Sequence, residues 1–330
     1  MPNIIVSEKS GRFGQLYGAL QAPLASFIEA QAELSKANCL ALKIFSERTS
    51  NSYAEAYGGM NGADLMKPVG EGAASPLNSM DLRDPKTLVN VTWKSHALLT
   101  REIVDDAHGD MKKIVERMGA RKLTESYYDT INAFLFGLLA AAVENKAKYQ
   151  MGGETFDLTC YDGKSVFSKA HKKGANAFSG AFSKETLGEL STIQQNFVDD
   201  NGHALQISPD TIVIPNTYAA KNKAFEIIGA EKDPGSANNG FNYLFGQWNV
   251  ITSPLLNHLA DGDAFPFILL DSTFNEKNDG NVFQNRVDLE ITSKEADGDN
   301  NKWDAYARFT GGFVDYRQMI LGGVSWGEAL

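Results

Sequence analysis

The chain has 330 residues, 43% of them hydrophobic, and a formal net charge of -10 at pH 7. A chain of this length and composition can bury one large core or two smaller ones, which excludes disorder over most of its length. The acidic balance argues against a protein that binds nucleic acid by neutralising phosphates with Lys and Arg.

Residues 1–48 are predicted to form an N-terminal arm with helical potential, because apolar residues recur there at helical spacing. The first residues lack the basic head and apolar stretch of a secretory signal, so we expect folding in a cytoplasm. The pattern from residue 39 to 45 fits an extended or a helical segment equally.

Cys39 and Cys160 lie in no metal or redox motif. Two reduced, packed thiols are expected, with a disulfide between them as the alternative.

The next stretch, from Tyr53 to about residue 85, is rich in glycine and has no apolar stripe that could supply a buried face. Residues 88–99 follow as a predicted strand rich in Val, Thr and Trp. The segment from Tyr53 to Leu99 is therefore predicted to be one long hairpin. Since an isolated hairpin is only marginally stable in water, we expect something outside its own fold to hold it.

Residues 110–146 carry the strongest helical pattern in the chain, and Gly119 can divide it into a short and a long helix. The longer part, 121–146, would extend close to about 40 Å at a rise of about 1.5 Å per residue. Its apolar run at 133–143 is shorter than the roughly 20 residues that span a bilayer, which predicts a buried helix and no membrane span.

A compact α/β unit is predicted at 183–276, where helices and strands follow one another with short connections. Ser183 is the expected N-cap of its first helix, and Asn216 or Thr217 that of its second. Its strands are predicted at 211–214, 247–252 and 265–270. The remainder is predicted to be antiparallel β, because charged and apolar residues alternate at 286–291 and again from Lys302 onward.

The chain carries no motif for a nucleophile with its base or for a phosphate-binding loop, and its five histidines are dispersed. We therefore predict no enzyme activity, no catalytic residue, no metal site and no cofactor. The paired carboxylates Asp105–Asp106 and Asp199–Asp200 would not face each other on a helix and indicate solvated helix ends. Asp297 begins a run similar to a calcium loop, but the required Gly and final Glu are missing.

Three strings of the sequence resemble the major head proteins of tailed phages and prophages. The first covers 211–254 and begins TIVIPNTYAAKNKAFEIIGA. The second joins YAEAY at 53–57 to Trp93 and to TREIVDDA at 100–107. The third is AYARFTGGFVDYRQMILGGV at 305–324. Together they extend from about residue 50 towards residue 330.

The resemblance implies an α+β chain with the Hong Kong 97 phage fold. That fold combines an N-terminal arm, an extended hairpin called the E-loop, a peripheral domain with a long spine helix and a β-sheet, and an α/β axial domain. The implied division is arm 1–48, E-loop 49–100, peripheral domain 101–182 with the spine helix, axial domain 183–276, and peripheral strands 277–330.

The same resemblance implies two contact surfaces between subunits. The expected E-loop contacts are Tyr53, Tyr57, Met60, Leu65, Met66, Pro68, Val69 and Trp93. The expected loop at the capsomer axis contains Glu231, Lys232, Asp233, Asn238 and Asn239.

The implied function is a structural coat protein that assembles through pentamers and hexamers into an icosahedral head around double-stranded DNA. Assembly would take place in the bacterial cytoplasm, and the product would be a virion component. Only about 48 residues precede the hairpin, so a separate scaffolding protein is expected beside a portal and a decoration protein. DNA would be enclosed without sequence-specific binding. The alternatives are an encapsulin-like nanocompartment with the same fold and an enzyme that uses the unit at 183–276.

Overall fold

The computed structural model describes residues 3–6, 30–58, 66, 68–74, 85–100, 102, 121–231, 241–296 and 300–330. Residues 30–38 are helical. The further helices are α1 (Arg121–Val143), α2 (Lys184–Gln195), α3 (Tyr218–Ile228) and α4 (Ser272–Asn278). The strands are β1 (Asn3–Val6), β2 (Ser46–Thr49), β3 (Ala54–Tyr57), β4 (Lys86–Val89), β5 (Val91–Leu99), β6 (Lys148–Met151), β7 (Glu154–Asp157), β8 (Thr211–Pro215), β9 (Asn249–Ser253), β10 (Phe267–Leu270), β11 (Asn281–Ala296), β12 (Asn300–Phe313) and β13 (Met319–Gly322).

The larger sheet has five strands in the order β1, β11, β12, β5, with β2 paired to β11 as well. The long strands β11, β12 and β5 are antiparallel, whereas β1 and β2 run parallel to β11. In β12 the side chains of Trp303, Ala305, Ala307 and Phe309 are buried and those between them are half-buried. This is the predicted alternation of a strand with one face on a core.

Helix α1 packs on the buried face of this sheet, where Phe134 lies against Phe309 with ring centroids 6.2 Å apart. The close approach depends on Gly311, since a Cβ there would lie 2.7 Å from Leu135 Cδ2. The predicted long helix is confirmed at Arg121–Val143, and its proposed earlier part, 110–120, lies outside the described residues. The segment around Cys39, for which two structures were open, forms a 3-10 turn at Leu40–Lys43.

The second sheet has the order β13, β10, β8, β9. Strand β8 is buried at every position, which agrees with its central place between β10 and β9. The hydroxyl of Ser183 accepts a hydrogen bond from the Thr186 N–H and caps α2 as predicted. Thr217 rather than Asn216 caps α3, accepting from the Ala220 N–H.

Strand β13 departs from the predicted division of the chain, because it pairs with β10 in the second sheet although it lies in the segment assigned to the peripheral domain. The connector from β12 to β13, residues 314–318, is almost fully buried. Within it the Arg317 guanidinium donates to both carboxylate oxygens of Asp315, and the Gln318 amide donates to Asn281 Oδ1 at 2.8 Å. One hydrophobic core extends from Phe309 of the larger sheet to Ile268 of the second.

Candidate assembly surface

The β3–β4 pair forms the base of the predicted hairpin, with Ala54 opposite Val89 and Tyr57 opposite Lys86. At this base Leu88 forms a small core with Val282 and Val314, and only 6% of Leu88 is exposed. These partners come from β11 and the 314–318 connector, far away in the sequence. The base of the hairpin is therefore held by residues outside the hairpin, which is the kind of support that the sequence predicted.

A set of polar contacts fixes the base of the hairpin on its first strand. The carboxylate of Glu55 accepts hydrogen bonds from the Ser50 hydroxyl at 3.0 Å and from the backbone N–H groups of Asn51 and Ser52, each at 3.1 Å. The buried amide of Asn90 donates to the Ser50 hydroxyl and the Ser52 carbonyl, both at 2.9 Å. The hydrogen bond from Ser50, followed by those from the two backbone groups, lowers the pKa of Glu55.

Lys86 attaches the other strand of the hairpin to the small β6–β7 sheet. Its ammonium group is paired with the Asp157 carboxylate and donates to Thr159 Oγ1 at 3.1 Å. Burial alone would raise the pKa of Asp157, but the hydrogen bonds from Lys86 and from the Thr159 N–H lower it overall. The hairpin is thus fixed on both strands at its base.

The segment beyond the base is exposed where it is described. Met66 is 99% exposed and Val69 is 54% exposed, and Pro68 is exposed between them. The Ala73 N–H donates to the Gly70 carbonyl at 3.0 Å and closes a turn in which Gly72 has φ of +78°. A positive φ of this kind is the reason for a glycine here. We call Met66 and residues 68–73 the apolar turn.

The remaining predicted E-loop contacts have different environments. Tyr53 is 66% exposed, whereas Tyr57 is half-buried against the Leu88 core. Met60 and Leu65 lie outside the described residues.

Trp93 lies within the subunit and not in the hairpin. Its strand β5 pairs with β12 in the larger sheet, and its ring stacks on Phe309 with centroids 4.8 Å apart. Its indole N–H donates to the Phe309 carbonyl at 3.1 Å. The predicted strand at 88–99 is therefore divided at Asn90 into β4 of the hairpin and β5 of the sheet. We leave Trp93 out of the candidate surface for this reason.

Of the predicted axis loop only Glu231 is described, and it is exposed; Lys232, Asp233, Asn238 and Asn239 lie outside the described residues. The chain just after them presents three aromatic side chains that the sequence analysis missed. Phe241, Tyr243 and Phe245 are 74%, 52% and 45% exposed, while Asn242 and Leu244 between them are buried. Aromatic residues at every second position of FNYLF were the available signal. The Asn242 amide holds the segment by donating to the Ile227 and Ala230 carbonyls.

Potential metal ligands and cysteine thiols are spread through the described residues. No group of three or more potential metal ligands occurs among them. Both cysteines are buried and unpaired, and burial raises the pKa of Cys39 to about 11 and that of Cys160 well above its usual value. A thiol in that state is a poor nucleophile. No described helix is long and apolar enough to cross a membrane.

His171 and Asp162 form a deeply buried hydrogen-bonded pair, with side chains 0% and 1% exposed. The His171 ring lies between two acceptors, the Asp162 carboxylate at 2.6 Å from Nδ1 and the Val166 carbonyl at 3.3 Å from Nε2. It also stacks on Tyr316 at 3.7 Å between ring centroids. Because both side chains are shielded from solvent, this pair is suited to packing and not to contact with a substrate.

Comparisons with known proteins give one family match and several structural matches. The model of a family described as phage capsid protein matches residues 99–321, more than half of the chain. The structure from Mycobacterium phage Patience is 10% identical, with 93% of this chain and 88% of that chain covered at a TM-score of 0.51. The capsid of the native GTA particle is 14% identical, with 88% and 91% covered at the same TM-score. These two likenesses confirm the predicted fold. The comparison with curated proteins found no match.

Proposed function

Because this chain belongs to the phage capsid protein family, we propose that it is the major capsid protein of a tailed phage, assembling through pentamers and hexamers into an icosahedral head around double-stranded DNA. One observation supports the proposal that subunits assemble through the hairpin. Its base is fixed to the subunit by Glu55 and Lys86, while its Met66 and Val69 side chains remain uncovered. Apolar groups held out in this way are stabilised when a neighbouring subunit covers them.

We also propose the predicted division of the chain into an arm, a hairpin and two domains, with one amendment. The arm, the E-loop and the peripheral and axial domains keep their predicted bounds, except that β13 completes the sheet of the axial domain. The exposed aromatic residues from Phe241 to Phe245 adjoin the proposed axis loop and extend the surface available for contacts around the capsomer axis.

The partners proposed from the resemblance are a scaffolding protein, a portal and a decoration protein. A net charge of -10 per chain supports enclosure of DNA without sequence-specific binding, since acidic walls repel the phosphates. We propose a virion component assembled in the host cytoplasm that has no catalytic role. The family match does not favour the encapsulin-like alternative.

The test is to express the chain alone and together with the products of its neighbouring genes, and to examine the product by electron microscopy and sedimentation. Closed shells of uniform size are expected. Small soluble oligomers under every condition would contradict the proposal. Neighbouring terminase, portal and scaffold genes would support a phage head, whereas a neighbouring cargo enzyme would count against it.

A further inference from the structure

We propose that the loop of residues 164–173, which we call the lysine loop, binds the phosphates of the double-stranded DNA inside the head. This inference rests on the proposed function and names the part of the subunit that contacts the DNA. The loop carries four lysines and no acidic residue, in a chain with 41 acidic and 31 basic residues. It is therefore a local exception to the acidic balance of the whole chain.

Two turns present these lysines, and a buried pair of side chains holds the turns together. The first turn covers 160–164 and is closed by a backbone hydrogen bond of 2.7 Å between its end residues. The second covers 171–174 and is closed by one of 3.4 Å. The hydrogen bond of 2.6 Å between His171 Nδ1 and Asp162 Oδ2 joins one turn to the other. The exposed lysines at the two turns are thus held on adjoining parts of the surface.

Asn176 fixes the middle of the lysine loop to the subunit. Its side chain accepts a hydrogen bond from the Ser168 N–H at 2.9 Å and donates one to the Val166 carbonyl at 2.7 Å. Val166 and the neighbouring Phe167 are both 0% exposed. Because these contacts already order the backbone, binding of DNA would cost little further ordering of the loop.

The charges of the exposed lysines are not neutralised by nearby acidic residues. Three lysines of the loop are exposed and make no ion pair with any residue that the structure describes: Lys164, Lys169 and Lys172. Asp162 lies close to them in the sequence, but its side chain is 1% exposed and is bound to His171. Lys173 is half-buried and donates to the Asp200 carbonyl at 3.3 Å. The loop therefore offers three cationic groups to a ligand.

The exposed surface of the loop suits a phosphate backbone better than a protein. Its large apolar side chains are buried, and Ala170 is its one exposed residue besides the three lysines. Interfaces between proteins have an apolar core and contain few lysines. Affinity for DNA comes instead from cationic side chains that neutralise phosphates. We therefore assign DNA as the partner, and not a protein with an acidic surface.

A contact of this kind carries no sequence information, since side chains on phosphates position the DNA without reading its bases. The acidic balance of the rest of the chain repels DNA. The lysine loop of each copy is then the place where the outer layer of DNA touches the shell.

Binding of a short fluorescent DNA duplex to the unassembled subunit tests the site without any head. The logarithm of the association constant should fall with the logarithm of the salt concentration with a slope of about -2.7, since each of three neutralised phosphates contributes about -0.9. This slope corresponds to a loss of affinity of about 40-fold between about 50 and 200 mM salt. The triple variant Lys164→Gln, Lys169→Gln and Lys172→Gln should lose this binding.

Lys277→Gln is the matched control, because Lys277 is an exposed lysine of α4 with the exposed Glu276 beside it. It should leave both the affinity and the slope unchanged. Circular dichroism and thermal melting verify that each variant folds. Equal binding by the triple variant and the wild type would overturn the site, and so would a wild-type subunit that fails to bind the duplex at low salt.

Formaldehyde treatment of filled heads locates the contact in the particle. The reagent joins lysine amines to DNA bases in close contact, and mass spectrometry identifies the linked peptides. Peptides that contain Lys169 or Lys172 are expected to carry DNA. A carbodiimide, which joins amines to carboxylates, is the opposite probe. Links from the lysine loop to carboxylates of a neighbouring subunit, with none to DNA, would overturn DNA as the partner.

The outcomes separate the two proposals. Heads that fill with DNA but show no link between that DNA and the lysine loop overturn the inference and leave the proposed function standing. A chain that never forms particles filled with DNA overturns the proposed function and the inference with it.

Discussion

At the residue scale, Trp93 contributes to the stability of the isolated subunit. Its ring lies 4.8 Å from Phe309, 5.4 Å from Phe134 and 6.4 Å from Phe156 between centroids. We expect Trp93→Ala to lower the free energy of unfolding by about 2–4 kcal/mol, since it removes a half-buried aromatic side chain and leaves a cavity. Chemical denaturation of the unassembled subunit measures this. An unchanged subunit that fails only in assembly would indicate that Trp93 acts between subunits.

Glu55 makes a pH-dependent contribution to the stability of the folded chain, and the sign of this contribution follows from its lowered pKa. The folded state holds the pKa of Glu55 below its usual value of 4.5. The carboxylate therefore stabilises the folded chain above that pH, and the stabilisation is lost as the pH falls through the folded-state value. We expect Glu55→Gln to have a lower melting temperature than the wild type at pH 7, with the difference shrinking below about pH 4. A difference that is independent of pH would contradict a role for the charge.

At the scale of elements, the hairpin between β3 and β4 can be removed without disturbing its base. Deleting residues 58–81 leaves four residues between Tyr57 and Lys86, which are already paired across the two strands. A connection of four residues is common in hairpins. We expect a folded subunit with near-wild-type circular dichroism that forms no closed shells. Electron microscopy of the deletion variant checks this, and normal particles would exclude the role assigned to the hairpin.

The elements that the sequence predicted well are those whose signal is local. Helix α1 and the alternating strand β12 follow from the periodicity of their own residues, and Ser183 follows from the preference for an N-cap serine. Their approximate bounds could be predicted because neighbouring residues carry the information. The hairpin was also recognised from glycine content and from the absence of an apolar stripe.

The elements that were assigned differently depend on contacts between distant parts of the chain. The pairing of β5 with β12 joins residues more than 200 positions apart, and nothing within residues 88–99 shows that Asn90 separates two sheets. The placement of β13 beside β10 depends likewise on tertiary packing.

At the scale of the whole molecule, net charge should control assembly. Each copy carries a charge of -10, so copies repel one another over the screening length, which is about 30 Å at 0.01 M salt and about 10 Å at 0.1 M. We expect the protein concentration needed for shell formation to fall as salt is raised through this range. Light scattering over a concentration series measures the threshold. A threshold that rises with salt would mean that attractive ion pairs between subunits outweigh the repulsion.

The buried connector between β12 and β13 has a mechanical consequence. Residues 314–318 join the two sheets directly, and the Asp315–Arg317 pair and the Gln318–Asn281 hydrogen bond hold its side chains inside the core. A joint built in this way is stiff, because bending it would separate the buried Asp315–Arg317 pair and leave each charge without a partner inside the core. Force applied to the long β11–β12 ribbon would therefore tilt the two sheets together rather than bend the joint between them.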